Sequence, residues 1–334
     1  MIRLPTYAVV DSHCDTLSRL YHIKNWDDFD FNTFKGPINL SNLKTGSVVI
    51  QFFAVFVDQA HQHSGSLRYA LQLIESFNKL LKKNSSAMTF IGYQEDVEKL
   101  KLHKNKVGCL LTIEGGEALE GSLEILPLLY QLGVRSIGLT WNHRNLLADG
   151  CHERESAGGL SSFGKKVIAT MEELNMIVDL AHISEKGFWD ALACTTKPFI
   201  VSHSNCKSLC DHPRNLTDRQ IQAISKREGM LGINFYPPFL STNAKKVDIN
   251  RVVDHIEHAC IIAGTYKHVG IGSDFDGIDQ FVAELSSSAH YHRLWEALLR
   301  RGFNDSQVKA ISSDNYFEFL GKALPSYMSY EGNR

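Results

Sequence analysis

Eight short, nearly continuous apolar runs separate longer amphipathic stretches along this chain, and that alternation limits the folds open to it. The runs are Tyr7–His13, Ser47–Phe56, Gly108–Gly115, Arg135–Trp141, Met176–His182, Pro198–Ser204, Gly229–Tyr236 and His268–Gly277. Continuous apolar character, in place of strict alternation, is what a strand covered on both faces requires. Between the runs, Ser66–Lys82 carries Leu67, Ala70, Leu71, Ile74, Phe77 and Leu81 at helical spacing. Thr217 and Gln220 form a capping box opening the next helix, and Asp248–Ala263 and Gln307–Leu320 read as two more. Strand and helix alternating eight times predict an α/β fold, a closed (β/α)8 TIM-like barrel, with a doubly wound open sheet as the runner-up. Tyr21–Asn42 holds aromatics without periodicity and reads as a long first loop near the barrel mouth, a candidate lid.

A chain of 334 residues is long enough for two domains, but barrels of this class reach that size as one, and residues 1–334 are read as a single barrel domain. The net charge of −2 argues against a dedicated nucleic-acid or anionic-membrane binder. No N-terminal leader, bilayer-length apolar run or hydrophobic tail is evident, so a cytoplasmic location is the default expectation. Seven cysteines without CxxC spacing fit reduced thiols. Cys14 is expected to point away from its neighbours His13 and Asp15, because successive residues of a strand face opposite sides.

Active sites of such barrels collect at the C-terminal ends of the strands. The predicted strands end in His13-Cys14-Asp15, Glu114, His182, His203 and Asp274-Phe275-Asp276. A lone histidine or aspartate after an apolar run is usually a core or turn residue, but five such ends converge on one mouth. Histidine and carboxylate donors without cysteine suit zinc, manganese or cobalt, and zinc is the usual choice for hydrolysis. His13 and Asp15 share a strand face, and His182 and His203 lie on adjacent strands. Each pair can hold one ion, and Glu114 falls between them, where its two oxygens can bridge two Zn2+. Two such cations lower the pKa of a shared water from about 15.7 towards 7, which yields a hydroxide nucleophile at neutral pH.

Asp274 is the candidate for moving the proton from that water to a leaving nitrogen, while Asp276 reads as structural. Arg214 could clamp a carboxylate by bidentate hydrogen bonds, an exposed surface arginine being the equal alternative. His61 and His63 form an HxH in a loop and read as surface residues. Ser202 and Ser204 flank His203, but no GxSxG elbow supports a serine hydrolase.

In this order and spacing, VVDSHCDTL, TIEGGEAL, GLSSFGKKVI, VDLAHIS, VSHSN, HPRNLTD, GMLGINFYPPF and VGIGSDFDG resemble the renal (membrane) dipeptidase family of amidohydrolase-like barrels. The resemblance spans nearly the whole chain. It implies a zinc-dependent dipeptidase acting on L-L and L-D dipeptides, with His13 and Asp15 on one zinc, His182 and His203 on the other, and Glu114 between them. It also implies that Arg214 holds the substrate's terminal carboxylate and that Asp274 is the proton shuttle. A homodimer is common in the family, though no sequence feature here establishes one.

One position departs. Where the animal enzymes carry a substrate-binding histidine after the threonine that ends strand four, this chain has Trp141. His143, two positions later in the same strand phase, is the candidate to stabilise the oxyanion in its place, and Tyr236 is a further candidate substrate contact. The alternatives are a metal-dependent amidase, lactonase or deaminase acting on a non-peptide molecule, and a silent relative that only binds.

Overall fold

The computed structural model describes residues 7–62, 64–102, 105–153, 155 and 158–327. Nine parallel strands form one sheet: β1 (Val9–Asp11), β2 (Val48–Phe56), β3 (Met88–Phe90), β4 (Val107–Glu114), β5 (Val134–Gly138), β6 (Ile177–Asp179), β7 (Ile200–Ser204), β8 (Met230–Ile233) and β9 (Val269–Ile271). Their order is β2-β1-β9-β8-β7-β6-β5-β4-β3, and an additional pairing of β2 with β4 closes eight of them into a ring. The closed (β/α)8 barrel expected from the sequence is the observed architecture.

All eight expected strands are present. The ninth, β3, lies outside the ring and pairs with the first residues of β4, Met88 opposite Val107 and Phe90 opposite Cys109. Along β2 and β4 alternate side chains divide between two cores. Ile50, Phe52 and Leu110 turn inward with Val10, Ile177, Ile200 and Met230. Phe53, Val55, Cys109 and Leu111 face the surrounding helices. Burial on both faces is the reason the strands read as unbroken apolar runs.

The helices start where side-chain caps meet their free N–H groups. Ser161, Ser184 and Asp248 accept from the first turns of Ser162–Glu173, Glu185–Cys194 and Ile249–Ala263. Thr217 and Gln220 form the full capping box of Asp218–Lys226, a cap of this kind contributing about 1 kcal/mol. The expected Gln307–Leu320 helix is made of Asp305–Lys309, a wider π turn at Ala310–Asp314 and Asn315–Ala323. Just past the π turn, Tyr316 reaches the barrel floor, where its hydroxyl donates to the Ile271 carbonyl at 2.9 Å. Gly270 makes room for it: a Cβ there would lie 2.3 Å from the tyrosine ring.

The first crossover is not a lid. Phe29 and Phe31 are buried, Trp26 packs edge-on against Phe29, and Lys79 lies over the Trp26 ring. The Lys83 ammonium, at the far end of the same helix Ser66–Lys83, caps the Asp27 carbonyl. The aromatics therefore bury themselves against the outer wall, and within the segment read as a lid only His22 lines the mouth. All seven cysteines are free, and the Cys14 thiol turns to the Phe52 carbonyl at 3.2 Å. Among the described residues no helix is long and apolar enough to cross a membrane.

Candidate metal centre

The ends of β1, β4, β6, β7 and β9 bring the five histidine and carboxylate candidates and Asp274 to one point. Three overlapping groups, His13-Asp15-Glu114, Glu114-His182-His203 and His13-His203-Asp274, each have donor atoms within 4.8 Å of one another. Glu114 divides its oxygens between two sides. Its Oε2 lies 3.6 Å from His13 Nε2, which is 3.2 Å from Asp15 Oδ2. Its Oε1 lies 2.7 Å from His182 Nε2 and 3.4 Å from His203 Nε2.

Backbone conformation aims several of these groups. His182, Asp274 and Asp276 have φ of 62°, 64° and 69°, the left-handed region that histidine and aspartate tolerate better than most residues. Behind them, polar side chains fix the rings, one from a distant loop and one from the neighbouring residue. His182 Nδ1 is 2.8 Å from Asn142 Oδ1, an acceptor, so that nitrogen carries the hydrogen. His203 Nδ1 is 2.8 Å from Ser202 Oγ, and the Ser202 backbone N–H donates to the buried Asp179 carboxylate at 3.0 Å. With the Ser202 oxygen accepting from it, His203 carries its hydrogen on Nδ1. Both Nε2 atoms then present lone pairs, and they face each other at 2.8 Å.

The electrostatics agree with a cation site. Burial holds His182 and His203 well below the usual histidine range, hence neutral. Burial and the Asp15 carboxylate push Glu114 well above the usual range. Burial alone would lower His13, but Asp15, Glu114 and Asp274 outweigh it and raise the imidazole to about 10. Burial also raises Asp274, to about 6, against the opposing pull of His13. Asp15 Oδ1 is buried with no hydrogen-bond partner. Opposed nitrogen lone pairs, a divided carboxylate and an orphaned carboxylate oxygen are a donor set for divalent metal, and the residues present fit it.

Above this point opens a cavity of about 670 Å³, walled by Phe56, Asp58, Tyr69, Trp141, Tyr236 and Phe239 among others. Asp274 is held by the Asn234 amide at 2.8 Å. Asp276 is tied to Arg19 and to Thr16, in line with its structural reading. Arg214 is not the exposed arginine that the sequence left open. It is 4% exposed, donates Nη2 to the His203 carbonyl at 2.8 Å, and its Nε has no partner. His143 is not brought to the site: its side chain is 55% exposed and stands 3.8 Å from Glu153. The reason is that β5 ends at Gly138, so strand phase no longer governs position 143. The wall position belongs to Trp141, whose ring lies 6.0 Å from that of His182. His61 pairs with Asp58, and His63 lies outside the described residues.

Sequence reasoning passed over Asn142, Asp179 and Asn234. Asp179 left a signal, an aspartate inside an apolar run with no glycine or proline beside it. Asn142 and Asn234 left none, since each acts on a residue 40 positions away.

A sequence profile of the membrane dipeptidases, peptidase family M19, matches residues 4–325. The chain belongs to this family. Among similar proteins, an uncharacterized dipeptidase of Schizosaccharomyces pombe is 30% identical over 329 residues, covering 93% of this chain and 80% of that protein. Dipeptidase 3 of Rattus norvegicus is 29% identical over 317 residues, covering 92% of this chain and 64% of that protein. In three dimensions this membrane dipeptidase family member superposes on the crystal structure of dipeptidase AC, a family M19 metallopeptidase, with a TM-score of 0.89. That comparison has 25% identity and covers 96% of this chain and all of the other.

Proposed function

We propose that this chain is a two-zinc dipeptidase that hydrolyses free dipeptides of L-L and L-D configuration. The observation that carries the reading is Glu114, whose two oxygens are divided between His13 with Asp15 on one side and His182 with His203 on the other. Divalent ions held by these five residues supply Lewis acidity and a water acidic enough to attack at neutral pH.

The residues of the chain supply the rest. Asn142 and Ser202 hold the two imidazoles with their lone pairs inward, so no reorientation is needed when substrate arrives. Arg214, buried with a donor unused and no carboxylate of a described residue within ion-pair distance, is a built donor site for the terminal carboxylate of a dipeptide. That contact favours substrates whose carboxylate lies one residue from the scissile bond. Asp274, raised to about 6, can take a proton at its carboxylate and pass it to the departing amine close to neutral pH. Tyr236, in the wall after β8, is the candidate to touch the C-terminal residue.

The test is turnover of an L-Xaa-L-Xaa and L-Xaa-D-Xaa panel, with metal quantified on the same zinc-reconstituted sample. Turnover of free but not C-terminally amidated dipeptides, at two metals per chain, is the expected result. Two metals without turnover of any dipeptide would move the function to another amide or ester.

A further inference from the structure

In the closed ring β1-β2-β4-β5-β6-β7-β8-β9, the strands β2 and β7 are diametrically opposed, with three strands between them in either direction. Arg214 follows β7 and Asp58 follows β2. A buried guanidinium and a carboxylate in the cavity wall thus come from segments that leave opposite strands of the ring.

Asp58 is a held group. His61 Nδ1 is 2.6 Å from its Oδ1, and the His61 backbone N–H donates to the same oxygen at 3.2 Å. The His61 ring lies flat on Tyr69, with centroids 4.0 Å apart and planes 1° from parallel. Tyr69 is itself a wall residue. His61 thus serves to fix a carboxylate. Next to it, the rings of Phe56 and Trp141 pack at 5.3 Å and form an aromatic wall.

Height in the barrel decides what that carboxylate can reach. Phe56 is in register with Glu114, so it stands level with the donor cluster. Asp58 lies two residues further along, past the end of β2 and at most about 7 Å beyond that level. A dipeptide whose carbonyl sits at the cluster keeps its α-ammonium one carbon away, at the level of Asp15 and Asp274. What reaches Asp58 is the end of a long N-terminal side chain, whose aliphatic stem lies against Phe56 and Trp141. We propose that Asp58 recognises the cationic side chain of the N-terminal residue, so that this chain prefers dipeptides beginning with lysine or arginine. The proposal rests on the dipeptidase reading above.

The experiment measures kcat/KM of the zinc-loaded enzyme for Lys-Ala, Arg-Ala, Leu-Ala and Glu-Ala, in wild type, Asp58→Asn and Asp58→Lys. A charge-assisted contact predicts about tenfold preference or more for Lys-Ala over Leu-Ala. In Asp58→Asn that ratio falls towards one, chiefly through KM, and in Asp58→Lys the order of Glu-Ala and Lys-Ala reverses. Equal turnover of Lys-Ala and Leu-Ala by wild type would overturn the proposal. So would a preference that survives Asp58→Asn, because it would place cation recognition elsewhere on the rim, Asp279 being the other candidate. Failure to hydrolyse these four and their L-D counterparts would instead remove the dipeptidase reading itself.

Discussion

His182 and His203 bring their Nε2 atoms to 2.8 Å while each Nδ1 is engaged by a polar side chain, Asn142 for His182 and the adjacent Ser202 for His203. Two neutral imidazoles arranged in this way repel unless a cation shares their lone pairs. Burial that keeps both rings from protonating leaves a metal ion as the partner. Metal should therefore stabilise the fold as well as support turnover. Binding at 1,000 times Kd contributes about 4 kcal/mol, which for a chain of this size is a Tm shift on the order of 5 °C. Treatment with a chelator should abolish activity and lower Tm by that order, and zinc should restore both. An unchanged Tm in a sample proven metal-free by elemental analysis would contradict the assignment.

Glu114 directs one carboxylate oxygen to each half of the centre. Replacing it with alanine should cost several kcal/mol of transition-state stabilisation, about 10³-fold or more in kcat. Bound zinc should fall below two per chain in the same sample. Full metal content with retained turnover would remove Glu114 from the centre.

Ser202 separates positioning from ligation. Ser202→Ala leaves His203 Nδ1 without its partner, while Asp179 keeps the backbone N–H donors of residues 181 and 202, and no metal-directed atom is removed. Loss of such an outer contact typically weakens metal binding about 10- to 100-fold. Competition with a chromogenic chelator should show that loss, and excess zinc should recover most of kcat. If affinity is unchanged, His203 is oriented by packing alone.

The eight barrel strands were legible because burial on both faces writes an unbroken apolar run, and a polar residue ending such a run marks the mouth. That rule found His13, Asp15, Glu114, His182, His203 and Asp274 at one point. It failed where its premise failed. β3 is three residues long and lies outside the ring, so it leaves no run to detect. His143 was placed by a strand phase that β5 does not sustain past Gly138. The aromatics of the first crossover resemble a lid in sequence, but burial against the helix Ser66–Lys83 is a tertiary choice that local pattern does not encode. Asn142 and Asn234 act across 40 residues, beyond any spacing argument.

Arg214 tests substrate recognition. A charge-assisted hydrogen bond to a carboxylate contributes about 1.5–3 kcal/mol, so Arg214→Met should lower kcat/KM for free dipeptides about 10- to 100-fold. A C-terminally amidated dipeptide should already be poor with wild type and lose little more in the variant, the non-additivity expected of two halves of one contact. Equal losses on both substrates would assign Arg214 a structural role through the His203 carbonyl. Arg214→Lys should fall between, since it keeps the charge and loses the fork.

His255, remote from the proposed reaction, gives the protein an acid sensitivity of its own. It is fully buried on the helix Ile249–Ala263, its Nδ1 accepts the Cys206 N–H at 3.1 Å, and its Nε2 donates to the Leu240 carbonyl at 3.0 Å. Protonation would set a second hydrogen against the Cys206 N–H. Burial accordingly lowers the imidazole to about 4 from its ordinary 6.5. The unfolded chain therefore binds one more proton than the fold between those two values. Stability from this residue is fully present above pH 6.5 and is lost as pH falls through the window to 4, by about 3 kcal/mol in total. His255→Asn keeps an acceptor for Cys206 and removes the titration. Urea unfolding of metal-free wild type and variant from pH 7.5 to 4.5 isolates the term from that of the metal centre. The variant should lose about 2–3 kcal/mol less over that range, and parallel curves would show that His255 is protonated in the fold without penalty.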